Sequence, residues 1–234
     1  MKNLYNDTSD ITKNQEMYDN FNGFIFSNDR DVFHKLHSKM FFYEMTKHLH
    51  GDIVECGVFK GSGLMSWLKL VNMHEPHSIK KVIGFDFFGN DFVDGLQNET
   101  DRETMRQVFS RDKNLKNDDI SMEGIADKIK ASGFDDSKFD LIRGDIAITS
   151  KKTLQEKPGF RISILNLDMD LAEPTQAALE SFWDRVVSGG IIIFDEYAYH
   201  SWSESDAADS FCKQHNIKLH KLNIKAPTAY IIKE

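Results

Sequence analysis

Ile53-Val-Glu-Cys-Gly-Val-Phe-Lys-Gly-Ser-Gly63 decides the fold of this 234-residue chain. An apolar strand runs into three glycines at a turn that opens a helix from about Ser62. Gly57, Gly61 and Gly63 carry no Cβ, so the backbone can turn sharply and approach a ligand closely. The helix behind them offers N–H groups that lack intrahelical partners. Strand, glycine turn and helix in that order build a nucleotide cofactor site. A dinucleotide fingerprint reads G-x-G-x-x-G with its acidic residue on the next strand. Here the order is E-x-G-x-x-x-G-x-G, with Glu55 ahead of the glycines. The next strand ends in Asp86, a carboxylate placed to accept both ribose hydroxyl hydrogens of an adenosine.

Outward from this motif, strands and helices alternate. Near-continuous apolar runs predict strands over 52–56, 81–86, 139–143, 161–167 and 190–194, as expected of strands buried on both faces. Helices are expected over 62–72, 104–109, 122–132 and 173–187. Val32, Phe33, Leu36, Met40, Phe41, Met45 and Leu49 recur at helical spacing, so a helix over 31–50 precedes the first strand. The alternation implies a doubly wound parallel sheet with helices on both faces. Two alternating runs, 217–222 and 228–232, flank Lys225-Ala-Pro227 and predict an antiparallel hairpin that ends the sheet. Residues 1–30 read as a polar arm whose aromatics Tyr18, Phe21, Phe24 and Phe26 need a surface, on the body or on a second subunit. Residues 89–120 are polar and rich in Asn and Asp, and read either as a lid over the site or as a solvated excursion.

A second cluster lies about a hundred residues after the glycines. Ile164-Leu-Asn-Leu-Asp168-Met-Asp170 ends one strand, and Gly189-Gly-Ile-Ile-Ile-Phe-Asp195-Glu196-Tyr197 ends the next. Neighbouring parallel strands finish on the edge where open α/β sheets bind ligands. Asp168 and Asp170, two apart on an extended chain, point to one side and can converge with Asp195 and Glu196. Like charges packed that closely need a cation. Oxygen ligands without Cys or His favour Mg²⁺, with Ca²⁺ or Mn²⁺ as substitutes. Helix capping and surface charge are the alternative. His200, just past the acidic strand end, is placed either for a general base or for a surface role among nine histidines.

Composition fits one enzyme domain spanning 1–234. The net charge of −8 and pI near 5.6 argue against nucleic acid or an anionic membrane as partner. Two cysteines, Cys56 and Cys212, form neither a disulfide framework nor a zinc pattern. With no apolar run near 18 residues and no h-region at the start, the chain reads as cytoplasmic.

The glycine loop resembles the first motif of class I S-adenosylmethionine-dependent methyltransferases. Together with Gly84-Phe-Asp86-Phe-Phe-Gly89, Leu-Asp168-Met-Asp170 and the strand ending Asp195-Glu196-Tyr197, it resembles the macrocin O-methyltransferase family, sugar O-methyltransferases of antibiotic biosynthesis, over roughly residues 50–200. The resemblance implies a Rossmann-like seven-stranded sheet with a C-terminal antiparallel hairpin. It implies S-adenosylmethionine as cofactor, held by Glu55, Gly57, Gly61, Ser62, Asp86, Asp145 and Asp168, with Asp145 near the adenine amino group; a bare Gly144-Asp145 turn is the alternative. It also implies a divalent metal, Mg²⁺ or another, on Asp168, Asp195 and Glu196, and Asp170 as general base. The acceptor is then a small-molecule hydroxyl beside a second hydroxyl, on a sugar, sugar nucleotide or glycosylated natural product. The chain departs from the family's pattern at Leu171-Ala172-Glu173-Pro174-Thr175, where an aromatic is usual, and at Glu196, where Asp is usual. Two other readings stand beside it. An NAD-dependent oxidoreductase is opposed by the glycine spacing. A cofactor-binding protein without catalysis is opposed by the four acids. A homo-oligomer is compatible with the aromatic arm.

Overall fold

Short apolar strands, alternating with helices along the chain, assemble into one six-stranded sheet. The structure is a computed structural model that describes residues 11–28, 30–224 and 229–234, with the backbone alone for 11–14. Helices α1 (Ile11–Ile25) and α2 (Arg30–Thr46) precede β1 (Asp52–Cys56). Then follow α3 (Ser62–His74), β2 (Val82–Asp86), α4 (Glu99–Arg111), α5 (Asn117–Ile120), α6 (Met122–Ala131) and β3 (Phe139–Arg143). The second half runs α7 (Ile146–Glu156), β4 (Ile162–Leu167), α8 (Ala172–Phe182), β5 (Val186–Phe194), α9 (Glu204–His215) and β6 (Ala229–Ile232).

The sheet order is β3-β2-β1-β4-β5-β6, with β6 alone antiparallel. Chain order reverses direction between β1 and β4, and crevices at such a switch point bind ligands. In register, Cys56 pairs with Leu167 and Leu167 with Phe194, so β1, β4 and β5 end level and deliver the glycine loop and both acidic motifs to one edge. Two apolar layers hold the sheet. One packs Val54, Leu165, Leu167, Ile192 and Phe194 against α7, α8 and α9; the other packs Ile53, Ile164, Ile191 and Ile193 against α2, α3 and α6. Each such fully buried aliphatic side chain contributes about 1.5–3 kcal/mol.

The five expected parallel strands form, with ends shifted by a few residues at most. The expected seventh does not. Residues 217–222 make a single antiparallel bridge, His220 to Tyr230, because Asn216 caps α9 in a left-handed turn (φ +53°) and Ile217 donates back to Cys212 O. The chain therefore hugs the helix end instead of entering the sheet. The Lys225-Ala-Pro227 connection and Thr228 lie outside the described residues. The helix expected over 173–187 ends at Phe182, and β5 begins at the β-branched pair Val186-Val187. The arm is helical over Ile11–Ile25, and Phe24 stacks on Phe33 at 6.2 Å while Tyr18, Phe21 and Phe26 are exposed.

Helix α2 is set the other way round from its apolar periodicity. Val32, Phe33, Met40 and Phe41 are exposed, whereas Ser38, Phe42, Tyr43 and Thr46 are buried. Lys35 and Lys39, one turn apart, point inward to carboxylates of the sheet edge.

Candidate active site

At the end of β1 the chain must pass under another loop. Gly57 sits at φ +91°, and a Cβ there would lie 1.9 Å from the carbonyl oxygen of Asp168, so no larger residue fits. Gly61, at φ +83°, caps α3 in the left-handed region. Asp86 clasps the loop between them. Its Oδ2 accepts the N–H groups of Val58 (2.6 Å) and Phe59 (3.0 Å), and its Oδ1 accepts that of Phe88 (2.7 Å). A carboxylate has about four acceptor positions, so Asp86 retains capacity for a ligand hydroxyl while already holding three backbone groups. Asp145 caps α7 by accepting from Ala147 N at 2.8 Å. Glu55 is buried beneath the loop; its Oε2 accepts from Trp67 Nε1 (3.0 Å), Lys39 Nζ (3.3 Å) and Asn166 Nδ2 (3.3 Å). Burial raises the Glu55 carboxyl pKa, against the pull of Lys39.

The acidic end is arranged differently. Asp168 and Asp170 follow β4 in a turn rather than along an extended strand, so the alternation argument fails there although the two still converge. Leu171 N donates to Met169 O at 2.8 Å across Asp170, whose φ is +67°: a three-residue turn in its strained form. Lys35 Nζ ion-pairs closely with Asp195 Oδ2 and lies 3.8 Å from Glu196 and 3.9 Å from Asp168. Apart from that ammonium, Asp195 Oδ2 has no partner, and buried Glu196 Oε2 has no hydrogen bond at all. Burial, then the charge of Asp195, pushes Asp170 up to about 7 and Glu196 up to about 8, and pushes Asp168 well above the carboxylate range. Burial opposes the charge on Lys35, but Asp168, Asp195 and Glu196 outweigh it and hold its pKa above the lysine range.

Beneath these groups lies Glu204, fully buried. Its Oε2 accepts Glu196 N–H (2.8 Å), its own N–H donates to Asp170 O (3.1 Å), and its Oε1 is unpartnered. Ser203 Oγ accepts Ala172 N–H and donates to Asp101 of α4, both at 2.9 Å. The start of α9 thus stitches together the two acidic loops and the segment between β2 and β3.

One cavity of about 870 Å³ joins the two ends. Glu55, Gly57, Ser62, Asp86, Asp145, Asp168, Asp170 and Glu196 line it; Gly61 and buried Asp195 stand just behind. His200 does not reach it. It lies exposed on the loop after β5, which corrects the expectation of a catalytic base there. Residues 89–120 form a largely helical wall of the site rather than a solvated excursion: Phe92, Leu96, Met105 and Phe109 face the cavity or pack with Leu171 and Trp202. Sequence reasoning missed Lys35, Lys39, Trp202 and Glu204. The inward lysines had one signal, the i, i+4 spacing that puts two cations on one face of the helix.

Comparison with known proteins bears on the family and the fold. The chain is 27% identical over 148 residues to 8-demethyl-8-(2,3-dimethoxy-α-L-rhamnosyl)-tetracenomycin-C 4'-O-methyltransferase of Streptomyces olivaceus, covering 63% of this chain and 53% of that protein. The matched segment thus spans about half the length of that curated relative. Among solved structures, the O-methyltransferase NovP superposes with a TM-score of 0.70 at 22% identity, covering 85% of this chain and 78% of that one. The apo structure of CalS11, a TDP-rhamnose 3'-O-methyltransferase in calicheamicin biosynthesis, gives 0.63 at 24% identity, covering 87% and 80%. Both likenesses show the Rossmann-like methyltransferase fold. The sequence profile of the macrocin O-methyltransferase (TylF) family matches residues 31–233, nearly the whole described chain, and the protein belongs to that family.

Proposed function

We propose that the chain is an S-adenosylmethionine-dependent O-methyltransferase acting on a hydroxyl of a sugar or glycosylated small molecule, with Mg²⁺ beside the acceptor. The observation that carries this reading is one continuous cavity that runs from Asp86 and Asp145 to Asp168, Asp170 and Glu196. Its volume is near the upper end for small-molecule sites and suits two ligands held together. The relatives act, by their names, on rhamnosyl tetracenomycin and TDP-rhamnose, which supports a deoxysugar acceptor, free of or attached to an aglycone.

Bound S-adenosylmethionine supplies the electrophile, a methyl group on a sulfonium centre. The chain's part is to align the acceptor oxygen and remove its proton. The glycine loop, clasped by Asp86, fixes the donor end, and the α4 wall fixes the acceptor end, so the reaction gains from proximity. Asp170, which lines the cavity beside Asp168, takes the hydroxyl proton as general base.

The donor chemistry at the acidic end suits a hard cation. Its atoms are all carboxylate oxygens, and buried Glu196 Oε2 lacks any partner. Asp168, Asp195 and Glu196 would hold the ion, which would supply positive charge favouring the alkoxide. As placed, no group of three His, Cys, Asp or Glu among the described residues converges on a point able to hold a metal, and the Lys35 ammonium lies among the acids, so they would have to close in to take an ion. A cytoplasmic location and self-association through the exposed aromatics of α1 and α2 complete the reading. Among the described residues no helix is long and apolar enough to cross a membrane.

Calorimetric titration with S-adenosylhomocysteine, with and without Mg²⁺ and with NADH as comparator, tests the proposal. Micromolar binding of the homocysteine compound and separate Mg²⁺ binding lost in Asp168→Ala are expected. Preference for NADH, or no binding, would sink it.

A further inference from the structure

Lys35 is a group at the acidic end that the transfer chemistry leaves unused. Its ammonium pairs with Asp195 and lies within 4 Å of Asp168 and Glu196, the three residues read above as cation ligands. Mg²⁺ draws its oxygens to about 2.0–2.1 Å. An ammonium already in contact with one of those oxygens cannot share that space with a dication, since the two exclude each other by volume and repel by charge.

We propose that Lys35 is a tethered counter-ion of this seat, that the ammonium and a divalent cation are its alternative occupants, and that metal binding therefore removes a tie between the N-terminal half of α2 and the sheet edge. The inference rests on the metal reading above. The attachment of α2 makes the coupling physical. Its C-terminal half is anchored by Phe42 and Tyr43 in the core, while Lys35 and Lys39 tie the other half to the site. Val32 and Leu36, on that same half, line the cavity wall, yet Val32 is 51% exposed, so apolar burial holds it weakly. When a dication takes the seat, Lys39 keeps its bond to Glu55 and Lys35 is expelled. The wall over the cavity then loses the tie that Lys35 made. In the metal-free state the same ammonium neutralises acids that would otherwise stand uncompensated, which accounts for a lysine on an inward face where apolar periodicity alone predicts none.

Two measurements test this on the full chain. The first is calorimetric titration of Mg²⁺ into metal-stripped wild type, Lys35→Met and Lys35→Arg. Removing the competing charge should tighten Mg²⁺ binding in Lys35→Met by roughly tenfold or more, whereas Lys35→Arg, which keeps the charge, should stay within about threefold of wild type on the same ground. The second is hydrogen exchange on wild type, which needs no variant. Saturating Mg²⁺ should speed exchange of amides in 30–39 and leave 41–46 unchanged. Equal or weaker Mg²⁺ affinity in a folded Lys35→Met, or unaltered exchange in 30–39 at saturation, overturns the proposal while leaving the metal reading intact. Binding of S-adenosylhomocysteine without Mg²⁺ binding by either wild type or Lys35→Met overturns both.

Discussion

The glycine-loop end and the acidic end share one sheet edge and one cavity, yet they are held in opposite ways. At the first, the charged group is satisfied by backbone: Asp86 accepts three N–H groups, and Gly57 closes against Asp168 with no space left. At the second, Asp168, Asp170, Asp195 and Glu196 crowd around Lys35 with Glu204 beneath them, with buried oxygens unpartnered and Asp170 in a strained turn. The first end is finished before any ligand arrives. The second remains electrostatically incomplete, and such incompleteness persists only where the surrounding structure over-determines it. Substitutions at the first should therefore act on stability and cofactor binding, and substitutions at the second on turnover.

The sharpest break of that contrast is Gly57→Ala. The added Cβ meets a backbone oxygen at 1.9 Å on a residue at φ +91°, and the backbone has no flexible end to yield. A loss on the order of 4 kcal/mol is expected, read as a large fall in melting temperature with cofactor binding abolished. A variant that melts within a few degrees of wild type would show that the two loops do not press together.

Asp170→Asn should separate the ends most cleanly. Removing the base should lower turnover about 10²–10³-fold while leaving S-adenosylhomocysteine affinity unchanged. Unaltered turnover would remove Asp170 from proton transfer; a parallel loss of cofactor affinity would show that the acidic end is part of the cofactor site.

The same contrast explains what could be read from sequence. Strands β1 to β5 were legible because burial on both faces leaves little but Ile, Val, Leu and Phe in each, and the strand-to-glycine order of 53–63 set the switch point. The four acids were legible because they directly follow such strands. Side-chain direction was not. Val32, Phe33 and Met40 repeat at helical spacing, so the helix was found, but its face was set by Lys35 and Lys39 reaching acids over a hundred residues away or on β1. Glu204 was hidden for a related reason: its environment comes from two loops that only the fold brings together. The run 217–222 alternates as a strand should, and the local capture of Ile217 by Cys212 overrode it.

Asp86→Ala probes the satisfied end at a smaller scale. It strips a partner from Val58, Phe59 and Phe88 at once, and hydrogen bonds to a charged group are worth about 1.5–3 kcal/mol each at most. Because water can reach part of the loop, a net loss of about 2 kcal/mol is expected, together with weakened S-adenosylhomocysteine binding. Stability lost with binding retained would mean that the carboxylate serves the loop alone.

The acidic end should show itself in the pH dependence of the metal-free protein. Burial and the charge of Asp195 lift Asp170 from 3.8 to about 7 and Glu196 from 4.5 to about 8. The folded chain therefore binds more protons than the unfolded chain between those values, so the slope of stability with pH is negative there. The contribution is fully present below about pH 4 and is lost as pH rises through 7 to 8. Glu75 and Asp140, whose pKa values are lowered despite partial burial, act in the opposite sense, but only below about pH 4.5, where they lose their charge. A scan from pH 5 to 8 in chelator thus isolates the raised acids. Melting temperature should fall across it, by an amount corresponding to the order of 1–2 kcal/mol after discounting for solvent, and the fall should be shallower in Asp170→Asn. Saturating Mg²⁺ should flatten it further, since ligands already deprotonated by a bound cation have no proton left to lose. A metal-free protein equally stable at pH 5 and pH 8 would mean that Lys35 alone balances the cluster, and the contrast between the two ends would be one of geometry rather than of charge.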